Sequence, residues 1–299
     1  MKPEPRDDPA GIVFAAASYI LWGLFPLYWR LLDAVPPFEI AIHRILWCAI
    51  FVGAVTAVRG RISELWRTLR TTKLARTLLI SSLLISANWT IYIFSISLHQ
   101  VVEASLGYFI NPLLSIVLGV ALLGEKMSRL RLAAVVLAGA AVAVKAVFIG
   151  HVPLIALGLA VTFGFYGYVR KLAPIDAVGG LLVETGMLFP LTVGLVSFWG
   201  LTGTGAFFSS SLATDALLIV GGPVTAVPLA LFAAGAKRIR LSTLGFVQYF
   251  SPSITLLIAV AVFREPFTAV DAVAFGCIWI ALILVGIEGQ LERRRASAA

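Results

Sequence analysis

The sequence predicts an all-α integral membrane protein of about ten transmembrane helices, arranged as two inverted five-helix repeats with both termini cytoplasmic. Three observations predict it. The composition is too apolar for a surface that faces water, apolar runs long enough to cross a bilayer recur from end to end, and residue types recur 140 positions apart.

Composition sets the solvent. Of the 299 residues, 60% are hydrophobic and 13% charged, with a mean hydropathy of +0.98. Soluble domains carry about 45–50% apolar and about 25% charged residues. A soluble fold of this length cannot hide such an excess, whereas lipid accepts it. The net charge of +8 comes from basic residues in short loops between apolar runs. That placement fits a membrane rather than nucleic acid.

The runs read in order as Gly11–Leu32, Phe38–Val58, Thr77–Leu98, Glu103–Leu123, Leu130–Ile149, Pro153–Val169, Gly179–Gly200, Ala213–Ala234, Ser242–Phe263 and Thr268–Ile287. A spanning helix needs about 20 residues. The backbone inside hydrocarbon must satisfy itself, so only helices and closed barrels cross. Barrel strands alternate over about ten residues, and these runs are longer and continuously apolar. Lys2 and Arg6 before the first run resemble a signal peptide, but that run is long for one, contains Trp22 and Pro26 and lacks a clear cleavage site. It reads as a retained first span.

Lys and Arg set the orientation. Those in the tails and in the loops after spans two, four, six and eight number 19, and the alternate loops carry only Arg30, Lys145 and Arg264. The positive-inside rule then puts both termini in the cytoplasm. The loop Arg59–Arg76 has room for a short interfacial helix around Leu65, Trp66 and Leu69. No loop holds a soluble catalytic domain, and no G-x-x-x-x-G-K-[ST] occurs to mark an ATP motor.

The repeat joins distant spans at one spacing. Phe25, Tyr28, Arg30, Pro112 and Glu125 each recur 140 residues later, as Phe165, Tyr168, Arg170, Pro252 and Glu265. Leu106-Gly107 and Leu244-Gly245 need a small local shift. The chain divides into a tail 1–10, a first repeat 11–150, a second repeat 151–288 and a basic tail 289–299. Five is odd, so the second repeat starts on the opposite side of the membrane. Inverted repeats of this kind recur in transporters, with the site near the midplane between them. A duplication kept only for packing is the plainer alternative.

The string Glu103-Ala-Ser-Leu-Gly-Tyr-Phe-Ile-Asn-Pro112 resembles the RarD group of the EamA branch of the drug/metabolite transporter superfamily. It does so together with His43-Arg44, Asn88-Trp89, Leu241-Ser-Thr-Leu-Gly-Phe246 and Gln248-Tyr249. The resemblance covers nearly the whole chain. It implies ten helices as two inverted five-helix repeats, a bacterial inner-membrane location and transport of small metabolites.

Charges within spans are the first site candidates, because one at a helix centre costs about 2.5–3.5 kcal/mol to insert. Arg44 and Glu184 stand 140 apart, at inversion-related depths. Arg44 would hold an anionic group, and Glu184 a proton or a cationic group. The structural alternative for each is pairing with a neighbouring helix or snorkelling to an interface. Asn111 and Gln248 belong to stripes of small and polar residues that should face protein or a cavity. Asn88, beside Trp89, needs a partner inside its span. Tyr108, Tyr166 and Tyr249 supply aromatic surface suited to a small-molecule pocket or to core packing. His43 and Glu103 join Glu184 as proton-coupling candidates, with Glu103 also placed to pair with Arg44.

Pro26, Pro112, Pro223, Pro228 and Pro252 are hinge candidates, since proline removes a helix donor. Glu125 and Glu265 read as loop-end pairing or capping groups. The three histidines are dispersed and the two cysteines stand alone, so no metal site or cofactor is expected. The expected partners are a small-molecule substrate and the lipid bilayer, with the oligomeric state left open. The expected function is an alternating-access secondary transporter rather than an enzyme. A membrane accessory or sensor protein is the alternative, and an intramembrane enzyme built on Glu103 or Glu184 lacks a recognisable constellation.

Overall fold

A computed structural model describes residues 8–60, 63, 72–123, 128–173, 175, 177–236, 238 and 247–298. The expected interfacial helix around Trp66, together with Glu125 and Leu244-Gly245, lies outside the described residues, as does the side chain of Pro112.

The chain folds as an all-α bundle. Its helices are α1 (Pro9–Arg30), α2 (Pro37–Val58), α3 (Thr72–Ser97), α4 (Val101–Leu123), α5 (Arg129–Ile149), α6 (Leu154–Leu172), α7 (Ala177–Thr202), α8 (Leu212–Ala236), α9 (Phe250–Leu257) and α10 (Ala269–Ala298). Among the described residues, six segments are long and apolar enough to cross a membrane. They are α1, α2, α3, Gly179–Thr202 of α7, Leu212–Phe232 of α8 and Ala269–Ile287 of α10. Shorter apolar segments lie in α5, α6 and α9. Large apolar side chains such as Val136, Leu201 and Ile283 are exposed, as lipid contact requires and water would penalise.

Helix packing follows a regular scheme. The best-packed pairs are α5–α10, α4–α6, α2–α8, α3–α6, α1–α8, α2–α7 and α1–α9. Replacing each helix by the one five places along maps α4–α6 onto α9–α1, α3–α6 onto α8–α1 and α2–α8 onto α7–α3, all of which pack together. Glycine permits the closest of these approaches. A Cβ on Gly107 of α4 would lie 2.7 Å from the Ala156 carbonyl of α6, and one on Gly23 of α1 would lie 2.7 Å from Ile254 Cβ of α9.

One end of the bundle is stitched by buried carboxylates. Glu265 accepts from the Val101 and Val102 N–H groups at the start of α4 (3.0 and 2.9 Å). Glu103 accepts from Ile155 and Ala156 at the start of α6 (3.0 and 3.3 Å). Glu39 accepts from Ala206 and Phe207 in the α7–α8 connection (2.7 and 3.3 Å). Helix starts leave backbone donors unpaired and carry partial positive charge, so carboxylates serve both needs. A π-helical turn, Ile258–Val262, follows α9, and Arg264 adopts a left-handed φ of 55°. Together they turn the chain so that Glu265 reaches α4. At the other end of the bundle, Asp8 pairs with Arg238 at 3.8 Å.

Two cations counted with the loops lie in helices, within the expected span limits Gly11–Leu32 and Leu130–Ile149. Arg30 lies in the last turn of α1, bonded to the Ile96 carbonyl and paired with Asp33 at 3.8 Å. Lys145 is buried within α5, 3.0 Å from Asp271 of α10. Hydrocarbon forces a cation below its surface to find an anion, and α10 supplies it. Among the described residues, Gln248 and Tyr249 form a turn before Phe250, where α9 begins, and residues 242–246 of the expected ninth span lie outside them.

Glu265→Ala should leave two buried N–H groups without acceptors. It should destabilise the protein by about 3 kcal/mol, read as a lowered midpoint of thermal unfolding in detergent.

Candidate functional site

Arg44 lies two turns into α2 and is 4% exposed. Three rings surround its guanidinium, with Cζ 4.5 Å from the Trp89 ring centroid, 5.1 Å from Trp29 and 5.5 Å from Phe25. Phe25 and Trp29 are four residues apart on α1 and so share a face, and Trp89 comes from α3. Nε donates to Thr225 Oγ1 of α8 at 3.0 Å. The Thr225 hydroxyl donates in turn to the Gly221 carbonyl at 2.9 Å, which orients its oxygen toward Arg44. Among the described residues no carboxylate pairs with Arg44, and Nη1 is buried without a hydrogen-bond partner. Ring faces attract a desolvated cation by up to about 2 kcal/mol each. They hold the charge in place without neutralising it, so the cage keeps a full positive charge with an unused donor.

Asn88, one residue before Trp89, ties the cage to α4 and α6. Its amide donates to the Leu159 carbonyl (3.0 Å) and to Thr162 Oγ1 (2.9 Å), and its oxygen accepts from Tyr108 at 3.3 Å. Tyr108 packs edge-on against Tyr92. Arg44, Asn88, Trp89 and Tyr108 therefore form one connected group. Asn111 is buried one turn along α4 from Tyr108.

Glu184 of α7 is the centre of a second polar group, toward the end where Asp8 meets Arg238. It is 1% exposed and accepts from Ser81 of α3 (2.6 Å) and Tyr166 of α6 (3.3 Å). Its carboxylate lies 3.5 Å from Arg170 Nε, and its backbone carbonyl accepts from Ser82 (2.6 Å). An apolar cluster joins the Arg44 cage, through Trp89, to the Glu184 group, through Tyr166. It contains Ile45, Cys48, Val52, Ile85, Leu181 and Leu182, with Trp89 at its edge and Tyr166 packed against it.

The remaining candidates sit elsewhere. Tyr249 stacks on Phe109 at 6.2 Å, beside Phe275 and Trp279 of α10, and Gln248 is half-buried in the preceding turn. His43 is fully buried beside Phe207. It accepts from Trp47 Nε1 (3.2 Å) and faces Glu39 at 3.8 Å. Glu103 is engaged with the start of α6 rather than with Arg44, because unpaired N–H groups lie within its reach. Pro26, Pro223 and Pro228 lie inside α1 and α8, and Pro252 is buried in α9. Among the described residues no cluster of metal-ligating side chains occurs.

Sequence reasoning did not single out Phe25, Trp29, Thr225, Ser81 or Arg170 as site residues. A usable signal was the i,i+4 pairing of Phe25 with Trp29 on α1 and of Tyr166 with Arg170 on the corresponding α6. Nothing in the sequence points to Thr225 or Ser81.

Residues 9–146 match the EamA-like transporter family. The chain is 43% identical to the uncharacterized transporter YojE of Bacillus subtilis (strain 168), covering 96% of each chain. It is 39% identical to protein RarD of Escherichia coli (strain K12), covering 98% of this chain and 99% of that one. A solved crystal structure superimposes with a TM-score of 0.58 at 21% identity, covering 94% of this chain and 98% of the other. That likeness bears on the fold.

Arg170→Met should strand the buried Glu184 carboxylate and cost about 3–5 kcal/mol. Adding Glu184→Gln should recover most of that loss, which a double-mutant cycle of unfolding midpoints in detergent would measure.

Proposed function

We infer the function from the fact that this chain belongs to the EamA-like transporter family, within its RarD group, and is a membrane transporter: it is a secondary transporter of a small polar or amphipathic metabolite, such as an amino acid or a drug-like compound, by alternating access. Arg44 is the anchor for an anionic group of the substrate. One observation carries this reading, the buried guanidinium with a partnerless Nη1 and, among the described residues, no carboxylate beside it. An uncompensated charge inside a membrane protein is costly to keep, and a substrate anion both repays that cost and gains a charge-assisted hydrogen bond. Trp89, Asn88 and Tyr108 position the anchor.

The ten spans, their division into inverted repeats 11–150 and 151–288, and cytoplasmic termini are part of the same proposal. Support comes from the helix pairs that exchange under a five-place shift and from the Lys and Arg asymmetry. The apolar cluster that joins the Arg44 cage to the Glu184 group is then the barrier that moves, and the prolines of α1 and α8 are where helices with missing backbone bonds bend most easily. Glu184, held by Ser81, Tyr166 and Arg170, is the second polar station. A bacterial inner membrane is the proposed location, in keeping with the bacterial relatives, and export is the direction the superfamily resemblance implies.

Arg44→Gln in proteoliposomes should lower saturable uptake or counterflow of carboxylate-bearing metabolites by about 10- to 100-fold, the loss expected for one charge-assisted bond. The variant should still elute as a folded protein. Undiminished flux would remove Arg44 from the site, and a panel of substrates without saturable flux would remove the transport reading.

A further inference from the structure

The wall of the Arg44 cage is also the wall of a groove on the outside of the bundle. Between α1 and α8 lies an apolar cavity of about 370 Å³. Leu21, Leu24 and Tyr28 line it from α1, and Val224, Val227 and Pro228 from α8. Leu24 and Val227 are 40% and 41% exposed, so the groove opens where the helices meet lipid. Its two ends are closed by built contacts. The Tyr28 hydroxyl donates to the Leu217 carbonyl across the two helices at one end. Tyr19, Trp22 and Phe232 close the other with ring centroids 5.2 to 5.9 Å apart.

Of the three side chains that touch Arg44 from α1 and α8, Phe25 is a lining residue and Thr225 stands beside two others. Phe25 lines the groove itself and is 6% exposed, with its ring 5.5 Å from the guanidinium carbon. Thr225, which accepts from Arg44 Nε, lies between Val224 and Val227. A single aromatic ring thus separates hydrocarbon from a buried cation that has a donor to spare. Both helices are weakened near this level. Pro26 deprives the Trp22 carbonyl of its helical donor, and Pro228 does the same for Val224.

We propose that the α1–α8 groove is a tail subsite open to the bilayer, so that the site takes an amphipathic monoanion with its carboxylate on Arg44 and its aliphatic or aryl tail between the two helices. The proposal rests on the anion-anchor reading of Arg44. Charge complementarity selects the occupant: an acyl chain without a head group fills the groove equally well but leaves Arg44 unpaired, and a cationic amphiphile is repelled by it. Rotation of Phe25 about its side-chain bonds joins the groove to the cage, which lets the substrate enter sideways from the membrane.

Binding of acetate, hexanoate, decanoate and decanol to the protein in lipid nanodiscs tests this, with thermal stabilisation as the readout. Partitioning into lipid is common to all variants and cancels when they are compared at one chain length. In the wild type, affinity should rise with length by up to about fourfold per methylene, and decanoate should bind at least tenfold more tightly than decanol. Val227→Trp fills the groove from its lipid side and should remove the length dependence, whereas Val136→Trp, on the exposed face of α5, should keep it. A length dependence that survives Val227→Trp unchanged overturns the tail subsite and leaves the Arg44 reading intact. Decanol binding as tightly as decanoate overturns both.

Discussion

A guanidinium held inside a membrane bundle, with no counter-ion among the described residues, is the constraint around which the centre of this protein is organised. Arg44 is compensated by three aromatic faces and one hydroxyl rather than by a carboxylate. A carboxylate partner would satisfy the charge permanently and close the site. Ring faces lower the cost of burial while leaving the charge available. Assembling them takes α1, α3 and α8 around α2, and Asn88 extends the arrangement to α4 and α6. Helices from both halves of the chain are thus drawn to one point, where a shift between the halves would be felt.

The other buried acids are used differently. Glu39, Glu103 and Glu265 accept backbone N–H groups from helix starts or connections at one end of the bundle, and Asp271 joins Thr268 to Lys145 there. Each closes a connection between helices with charge-assisted bonds, which are about twice as strong as neutral ones. Glu184 is the exception. It lies toward the other end, paired with Arg170 and two hydroxyls. The fold therefore spends most of its buried carboxylates on holding one end together and reserves Glu184 for the interior.

Arg44 and Glu184 stand 140 residues apart, at equivalent positions of the proposed repeats, and carry opposite charge. Their surroundings correspond in plan but not in chemistry: each is met by a hydroxyl from the helix that packs on it, Thr225 of α8 for Arg44 and Ser81 of α3 for Glu184. The first has aromatic neighbours, and the second has a cation. Divergence of this kind would let the two proposed repeats present different groups to one pathway, and the apolar cluster that contains Trp89 and Leu181 joins their surroundings.

The sequence by itself determined the solvent, the secondary structure and the approximate limits of the helices. These follow from local quantities, namely apolar run length and the placement of charge. It also singled out Arg44, Asn88, Trp89, Tyr108 and Glu184, because polar groups in hydrocarbon are conspicuous. Only the tertiary structure decided which of them meet. Thr225 lies on a helix distant in the chain from Arg44 and Phe25 on the helix before it, and an ordinary Thr or Phe in an apolar run carries no mark of its neighbour. The same holds for Glu103, whose destination is the start of α6 rather than Arg44, and for Lys145, whose partner Asp271 only α10 brings beside it. Which helix face turns inward, and what stands opposite, depends on packing between segments far apart in sequence, and a one-dimensional pattern does not contain that distance.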